Sequence, residues 1–238
     1  MHSQTAIRTD SIRHAVVATQ LAAPAIHGPG NIAIESDTLD QAMHLMGATM
    51  AYPRNTEIFG ENEAADYLYK VISGSVRTYK ILSDGRRQIG GFYLPGDIFG
   101  LEFADEHTLS AESITDCKVL VVKRSAINAL AGRDATVAQQ LFTLTGRELH
   151  RVQDRILLLI KSAQERVASF LLEMSERVSG ASAIELPMCR QDIADYLGLT
   201  IETVSRTLSS LEDLAAIEVP TSRRIVLRNR PALSRMNG

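Results

Sequence analysis

Tryptophan is missing from this chain of 238 residues, aromatic residues make up only 5%, and cysteine occurs twice, as Cys117 and Cys189. Two thiols so far apart build no disulfide framework, and no C-x2-C spacing offers a zinc site. Such sparing use of cysteine fits a reducing cytoplasm, the expected location. No apolar run approaches the ~18 residues that a membrane-spanning helix needs, so no membrane partner is expected. Arg8 and Arg13 ahead of Ala15–Ala25 faintly mimic a secretory signal, but Thr19 and Gln20 interrupt the apolar run, and no leader is read there. Strong charge of one sign is also lacking: 25 Lys and Arg against 28 Asp and Glu leave a net −3. That excludes a uniformly basic nucleic-acid glue, although a specific DNA reader needs only a positive docking face. Catalytic signatures are absent as well. No P-loop, nucleophile elbow or paired acid motif occurs, so no enzyme is expected.

What is present is 45% hydrophobic, enough for a packed core. The fold class expected is α+β, in four blocks. Residues 1–37 are punctuated by Pro24, Gly28, Pro29 and Gly30 and read as a loosely ordered arm. Residues 38–133 read as a β-roll. A short helix is expected over 37–50 from the spacing of Leu39, Met43 and Met46, with Asp37 as its N-cap. Strands are then expected over 67–72, 76–82, 88–93 and 118–122, where β-branched and aromatic residues gather between glycines. Ser83-Asp84-Gly85 suits a hairpin turn.

Residues 134–161 read as one long dimerisation helix of ~40 Å. They hold no proline and a single glycine, Gly146. Phe142, Thr145, Leu149, Val152, Ile156 and Leu159 alternate in steps of three and four, an a/d seam with one polar break at Thr145. A homodimer is expected along this seam.

Residues 162–238 read as a winged helix-turn-helix. A helix over 163–178 points Val167, Phe170, Leu171 and Met174 inward and ends at Ser179-Gly180-Ala-Ser182. Next, a short helix buries Ile193, Ala194 and Leu197, Gly198 takes a left-handed turn, Leu199 plugs the angle, and Thr200 caps a second helix. That second helix buries Val204, Leu208 and Leu211 and leaves Ile201, Glu202, Ser205 and Arg206 outward in its first turns. In a helix-turn-helix those turns meet base edges in the major groove. An arginine bonds guanine O6 and N7 bidentately, a glutamate accepts from a cytosine amino group, and an apolar side chain packs on a thymine methyl. Arg190, Thr200, Thr203, Arg223 and Arg224 are the candidate phosphate contacts. Residues 217–220 and 224–227 around the turn at Thr221-Ser222-Arg223 read as the wing. From Val219 to Gly238 there are five arginines and no acid.

In this order of parts the sequence resembles the CRP/FNR family of bacterial regulators over about residues 40 to 230. The most specific stretches are Leu197-Gly-Leu-Thr-Ile-Glu-Thr-Val-Ser-Arg206 and Gln153-Asp-Arg-Ile-Leu-Leu-Leu159 followed by Ala163-Gln-Glu-Arg166. They resemble the FNR branch, and within it the FixK-type activators of microaerobic and nitrogen-fixation genes. The resemblance implies that Glu202, Ser205 and Arg206 read a TTGA-like half of a palindrome, since the cAMP-receptor branch carries glycine where Ser205 stands. It also implies that the loop around Asp84 and Arg86 contacts RNA polymerase.

The departures from the family carry equal information. No cysteine precedes Cys117, so a four-cysteine iron–sulfur cluster at the N-terminus is impossible. Along Gly96-Asp-Ile-Phe-Gly-Leu-Glu-Phe103 and Leu109-Ser110, Leu109 replaces the arginine that holds a cyclic phosphate in the cAMP receptor. A buried phosphate without a cation is costly, so no cyclic nucleotide is expected. His107 and Cys117 are read as loop and core residues rather than haem ligands, and no cofactor is expected. Past the short helix over 37–50, His107 is the one histidine of the β-roll, too few for a cupin-type metal triad. The alternative to an ungated activator is the same DNA reader gated by an unidentified small molecule. Cys189 stands where relatives cap the first helix with Ser or Thr. A thiol at a helix N-terminus beside Arg190 suits redox control, and its oxidation is expected to block DNA binding.

Overall fold

The computed structural model describes residues 38–158, 160–178 and 182–236. The expected arm of residues 1–37, the cap Asp37, the seam residue Leu159 and the turn at 179–181 lie outside the described residues.

A short helix α1 (Thr38–Met46) leads into eight strands: β1 (Ala48–Tyr52), β2 (Glu57–Phe59), β3 (Tyr67–Ser73), β4 (Val76–Ile81), β5 (Arg87–Tyr93), β6 (Ile98–Phe99), β7 (Ser110–Ser113) and β8 (Cys117–Lys123). They form two antiparallel four-stranded sheets, ordered β1-β8-β3-β6 and β2-β7-β4-β5. Both sheets send side chains into one apolar layer: Tyr69, Val71, Phe99, Cys117 and Val119 from the first, Phe59, Val76 and Ala111 from the second. Period-two strands with one face buried against the other sheet are what the alternating sequence dictates. His107 belongs to this layer. It is buried, stacks on Phe59 with ring centroids 3.6 Å apart, and meets Glu102 Oε2 through Nδ1 at 2.5 Å.

The four anticipated strands are present with ends shifted by a residue or less. The helix expected over 37–50 is corrected: it stops at Met46, and residues 48–52 form β1, paired with β8 in the register Ala48↔Val121 to Tyr52↔Cys117. Leu39 and Met43 are buried as the spacing required, whereas Met46 is exposed. Cross-strand pairing, invisible in a local window, overrides the helical pattern there. The strands β2, β6 and β7 were not anticipated. At three, two and four residues they are too short to show a period. The hairpin β4–β5 turns through Gly85 at φ +81°, the left-handed conformation expected of Ser83-Asp84-Gly85.

Past the roll come α2 (Arg124–Ala131), which the sequence reading missed, and the long helix α3 (Ala135–Leu158). The Asp134 carboxylate accepts from the Thr136 amide at 2.8 Å and starts α3. Much of α3 carries no apolar cover: Phe142, Leu149, Val152 and Ile156 are 75, 58, 53 and 59% exposed.

The remaining elements are α4 (Ala163–Arg177), β9 (Ala183–Glu185), α5 (Arg190–Leu197), α6 (Ile201–Asp213), β10 (Ile217–Glu218), β11 (Arg224–Leu227) and α7 (Arg230–Met236). Ser162 and Glu165 close a reciprocal capping box that starts α4. Val167, Phe170, Leu171 and Met174 are buried, as their spacing predicted. The unanticipated β9 pairs with β11, so the wing is a three-stranded sheet ordered β10-β11-β9. Ile89 and Phe92 of β5 lie in the same core cluster as α4, α5 and α6. The Phe92 ring sits 5.0 Å from that of Tyr196 and 6.2 Å from that of Phe170.

Leu211 and Leu214 test this partition of one apolar helix end. Leu211 is fully buried and Leu214 is 56% exposed. Leu211→Ala should lower the unfolding free energy by ~2–5 kcal/mol. Leu214→Ala should stay within ~0.5 kcal/mol of the parent protein. Denaturant unfolding of the two variants measures both.

Candidate nucleic-acid interface

Two helices and a tight turn build the candidate site. α5 ends at Gly198, whose φ of +65° turns the chain sharply. Leu199 follows, half-buried against the core, and its amide bonds the Ala194 carbonyl at 3.0 Å. Thr200 then caps α6: its hydroxyl accepts from the Thr203 amide at 3.2 Å. Val204, Leu208 and Leu211 are buried on the inner face of α6, and Ile193, Ala194 and Leu197 on that of α5, each as the sequence required.

The outer face of the first turns of α6 carries the four expected readers. Ile201, Glu202 and Arg206 are exposed, and Ser205 is half-buried. The Glu202 carboxyl is held below the usual carboxylate range, first by its own backbone amide and then by the Thr200 hydroxyl and the charge of Arg206. It is therefore an ionised acceptor at neutral pH. Arg206 Nε leans on the Glu202 carbonyl at 3.4 Å, which leaves the fork of its guanidinium outward. A coupling the sequence did not anticipate joins Arg190 and Ser205, 15 residues apart, whose Nη1 and Oγ lie 3.3 Å from each other. A candidate phosphate contact and a candidate base reader thus meet across the two helices.

On the wing, Thr221 Oγ1 accepts from the amides of Arg223 and Arg224 at 3.4 and 3.0 Å and shapes the tip. Arg228 is spent on Glu218 and Arg230 on Ser175 and Glu176. Of the basic C-terminal run, Arg223 and Arg224 carry no ion pair among the described residues. At the start of α6, Thr200 is exposed and Thr203 half-buried.

Cys189 is exposed at the N-cap of α5. Its thiol donates to Asp192 Oδ2 at 3.3 Å, and its amide donates to the same oxygen at 3.2 Å. Its neighbour Arg190 turns to Ser205 rather than to the sulfur. Cys117, by contrast, is buried in β8, and burial raises its thiol pKa. Asp84 and Arg86 stand at the tip of the β4–β5 hairpin, paired with each other at 2.7 Å. The Arg86 amide, and then its guanidinium, hold the Asp84 carboxyl below its ordinary range. Leu109 lines a cavity of about 150 Å³ in the roll together with Phe59, Thr78, Tyr93, Phe99 and the carboxylates of Glu102 and Glu148. Among the described residues no lysine or arginine lines it, so the residues present do not fit a cyclic phosphate.

The chain is similar to known proteins along most of its length. Residues 165–236 match the family model described as a Crp-like helix-turn-helix domain, and residues 49–134 match that of a cyclic nucleotide-binding domain. The nitrogen fixation regulation protein FixK of Azorhizobium caulinodans is 47% identical over 214 residues, covering 87% of this chain and 86% of that protein. The FixK protein of Rhizobium meliloti is 38% identical over 198 residues, covering 80% and 90%. The solved structure of FixK2 from Bradyrhizobium japonicum superposes with a TM-score of 0.78 at 50% identity, covering 81% of this chain and 98% of that one.

The cap of α6 gives a check that needs no DNA. Thr200→Ala removes the hydroxyl that satisfies the Thr203 amide. It should cost ~1 kcal/mol of unfolding free energy, read from thermal or denaturant melts, while Thr200→Ser should restore most of it.

Proposed function

The chain belongs to the CRP/FNR family, whose members are DNA-binding transcription regulators and not enzymes, and from that premise we propose that it is a FixK-type activator working as a homodimer on a TTGA-like palindrome. The observation that carries this reading is the α6 surface: an apolar side chain, an ionised acceptor and a guanidinium fork stand outward together in its first turns. Arg206 reads guanine, Glu202 accepts from the cytosine amino group, and Ile201 packs on a thymine methyl. Ser205, bonded by Arg190, is the fourth base reader. Arg190, Thr200, Thr203, Arg223 and Arg224 fasten phosphates on either side. Microaerobic and nitrogen-fixation genes are the target class, by kinship with the FixK proteins, and the site of action is the cytoplasm.

Two copies are required because a palindrome presents its halves about 34 Å apart, one turn of B-DNA. The uncovered face of α3, with Phe142, Leu149, Val152 and Ile156 in heptad positions and Leu159 continuing them, supplies the seam. The hairpin tip with Asp84 and Arg86, an exposed ion pair, is the RNA polymerase contact. No cyclic nucleotide or iron–sulfur cluster takes part. A second reading, gating by a small uncharged molecule, draws on the mostly apolar cavity beside Leu109. Ligand released from denatured protein, or its absence, distinguishes the two.

Oxidation of Cys189 switches the reader off in this scheme. Peroxide oxidises the exposed thiol stepwise to a sulfinic acid and is itself reduced to water. The new negative charge lies beside the Asp192 carboxylate and against the DNA backbone, where it repels phosphate.

Ile156→Glu buries two carboxylates face to face in the seam and should give monomers in equilibrium sedimentation, with little operator affinity. Arg206→Ala should cost ~1–3 kcal/mol on the operator and relax the preference at one guanine. Arg223→Ala should weaken operator and random DNA alike and flatten the salt dependence in titrations at several salt concentrations. Equal losses on both DNAs for Arg206→Ala would make Arg206 a phosphate contact and shift the reading register. After peroxide treatment, wild type should lose operator binding in a gel-shift assay while Cys189→Ala keeps it; equal loss in both removes Cys189 from the scheme.

A further inference from the structure

Asp192 is not among the candidate base or phosphate contacts, yet it is among the most heavily bonded side chains of α5. It is 2% exposed, and its Oδ1 accepts from Arg77 Nη1 of β4 at 2.9 Å and from Arg87 Nη2 of β5 at 2.6 Å. Arg87 Nε reaches on to Asp195 Oδ2 at 2.8 Å, less than a turn further along α5. Gln88 Nε2 donates to the Asp195 carbonyl at 2.7 Å. Behind Arg77, Glu112 Oε2 of β7 accepts from its Nη2 at 2.7 Å. Two guanidiniums of the β-roll are thus inserted among three carboxylates, two of which belong to the first helix of the DNA-binding motif.

We propose that Arg77 and Arg87 are positioning residues for DNA recognition. With Asp192 and Asp195 they form a clamp that sets the orientation of α5 on the roll. Through α5 they set the direction of α6 and the separation of the two recognition helices. The proposal rests on the dimeric reading given above.

Three observations support the clamp. First, buried ion pairs contribute little net stability against an apolar replacement but are specific in geometry. The planar fork of an arginine fixes its partner's direction as an apolar contact cannot. The roll already holds α5 apolarly through Ile89 and Phe92. Such packing is non-directional, and what the arginines add is angular register. Secondly, α5 and α6 share one core and the tight turn through Gly198 and Leu199, so a rotation of α5 carries α6 with it. Thirdly, the clamp grips α5 without covering the reading face: Ile201, Glu202 and Arg206 stay exposed while Asp192 is buried. The motif is held and presented, not masked.

Half-site spacing is the readout that a merely structural ion pair would not move. Arg87 is the residue to change, because it is partly exposed and Arg77 still neutralises Asp192 without it. Affinities of wild type, Arg87→Gln and Arg87→Lys are measured on TTGA/TCAA palindromes whose spacer is varied one base pair at a time. Sedimentation and melting curves accompany them. Wild type should favour one spacer over its neighbours by about tenfold or more, since simultaneous engagement of both halves depends on geometry. Arg87→Gln should lose about tenfold on that spacer and discriminate among spacers by less than about threefold. Arg87→Lys, which keeps a cation against both aspartates, should recover part of the discrimination. Should Arg87→Gln not fold, Asp195→Asn, which weakens only the outer bond, carries the same comparison. A uniform loss at every spacer would mean that the arginines only neutralise two carboxylates near the DNA, and would overturn the clamp. So would an unchanged spacer preference. A wild type indifferent to spacing would overturn the two-half-site reading, and the clamp with it.

Discussion

The angle between α5 and α6 is imposed by one apolar core, and the rest of the reading head depends on it. Ile193, Ala194 and Leu197 from one helix and Val204, Leu208 and Leu211 from the other bury themselves against Val167, Phe170, Leu171 and Met174 of α4. Each large side chain removed from water contributes ~1.5–3 kcal/mol, so helices only eight and thirteen residues long are held by packing rather than by their own propensity. Because the inner faces are committed to that core, the outer face has no freedom. Ile201, Glu202 and Arg206 must point to solvent together. The chemistry of recognition is the residue left over when burial has been satisfied.

The same core extends into the β-roll through Ile89 and Phe92, and this continuity makes the two halves of the molecule mechanically related. Around it runs a ring of charge. Arg177 bonds the Phe92 carbonyl at 2.8 Å and pairs with Asp97, Arg151 pairs with Glu148 at 2.6 Å, and Arg155 lies 4.2 Å over the Tyr196 ring. Burial raises the Glu173 and Glu148 carboxyls, while the neighbouring arginines oppose that shift. α3, α4, α5 and the roll therefore meet at a junction where apolar packing is framed by paired charges. A change of orientation there would have to break several bonds at once.

The roll keeps a familiar scaffold with a different cavity lining. Residues 49–134, which include nearly all of both sheets, match the cyclic nucleotide-binding domain family. The cavity, however, is lined by Leu109 and two carboxylates in place of a cation. His107, the side chain that most invites a metal or haem reading, is stacked on Phe59 and bonded to Glu102 as part of the packing. The roll meets the helix-turn-helix through Arg77 and Arg87, both bonded to Asp192.

Sequence alone determined the features that depend on near neighbours in the chain. The turn through Gly198, the cap at Thr200, the buried triplets of α5 and α6, the hairpin at Gly85 and the inward face of α4 are all matters of period and local hydrogen bonding. Those signals repeat within a few residues and survive in a single sequence. The exposure of Ile201, Glu202 and Arg206 followed from the same periodicity, as the complement of what must be buried. Tertiary structure decided what depends on distant partners. Residues 48–52 became a strand because β8 offered its edge, and β2, β6, β7 and β9 exist only as partners of longer strands. Arg87, in the sequence part of an exposed hairpin tip, turns inward to Asp192 and Asp195, and Arg190 turns to Ser205. A long charged side chain carries no local mark of which carboxylate it will meet. For Arg87 that choice is made by the electrostatics of groups more than a hundred residues apart, brought together only once the apolar core has closed.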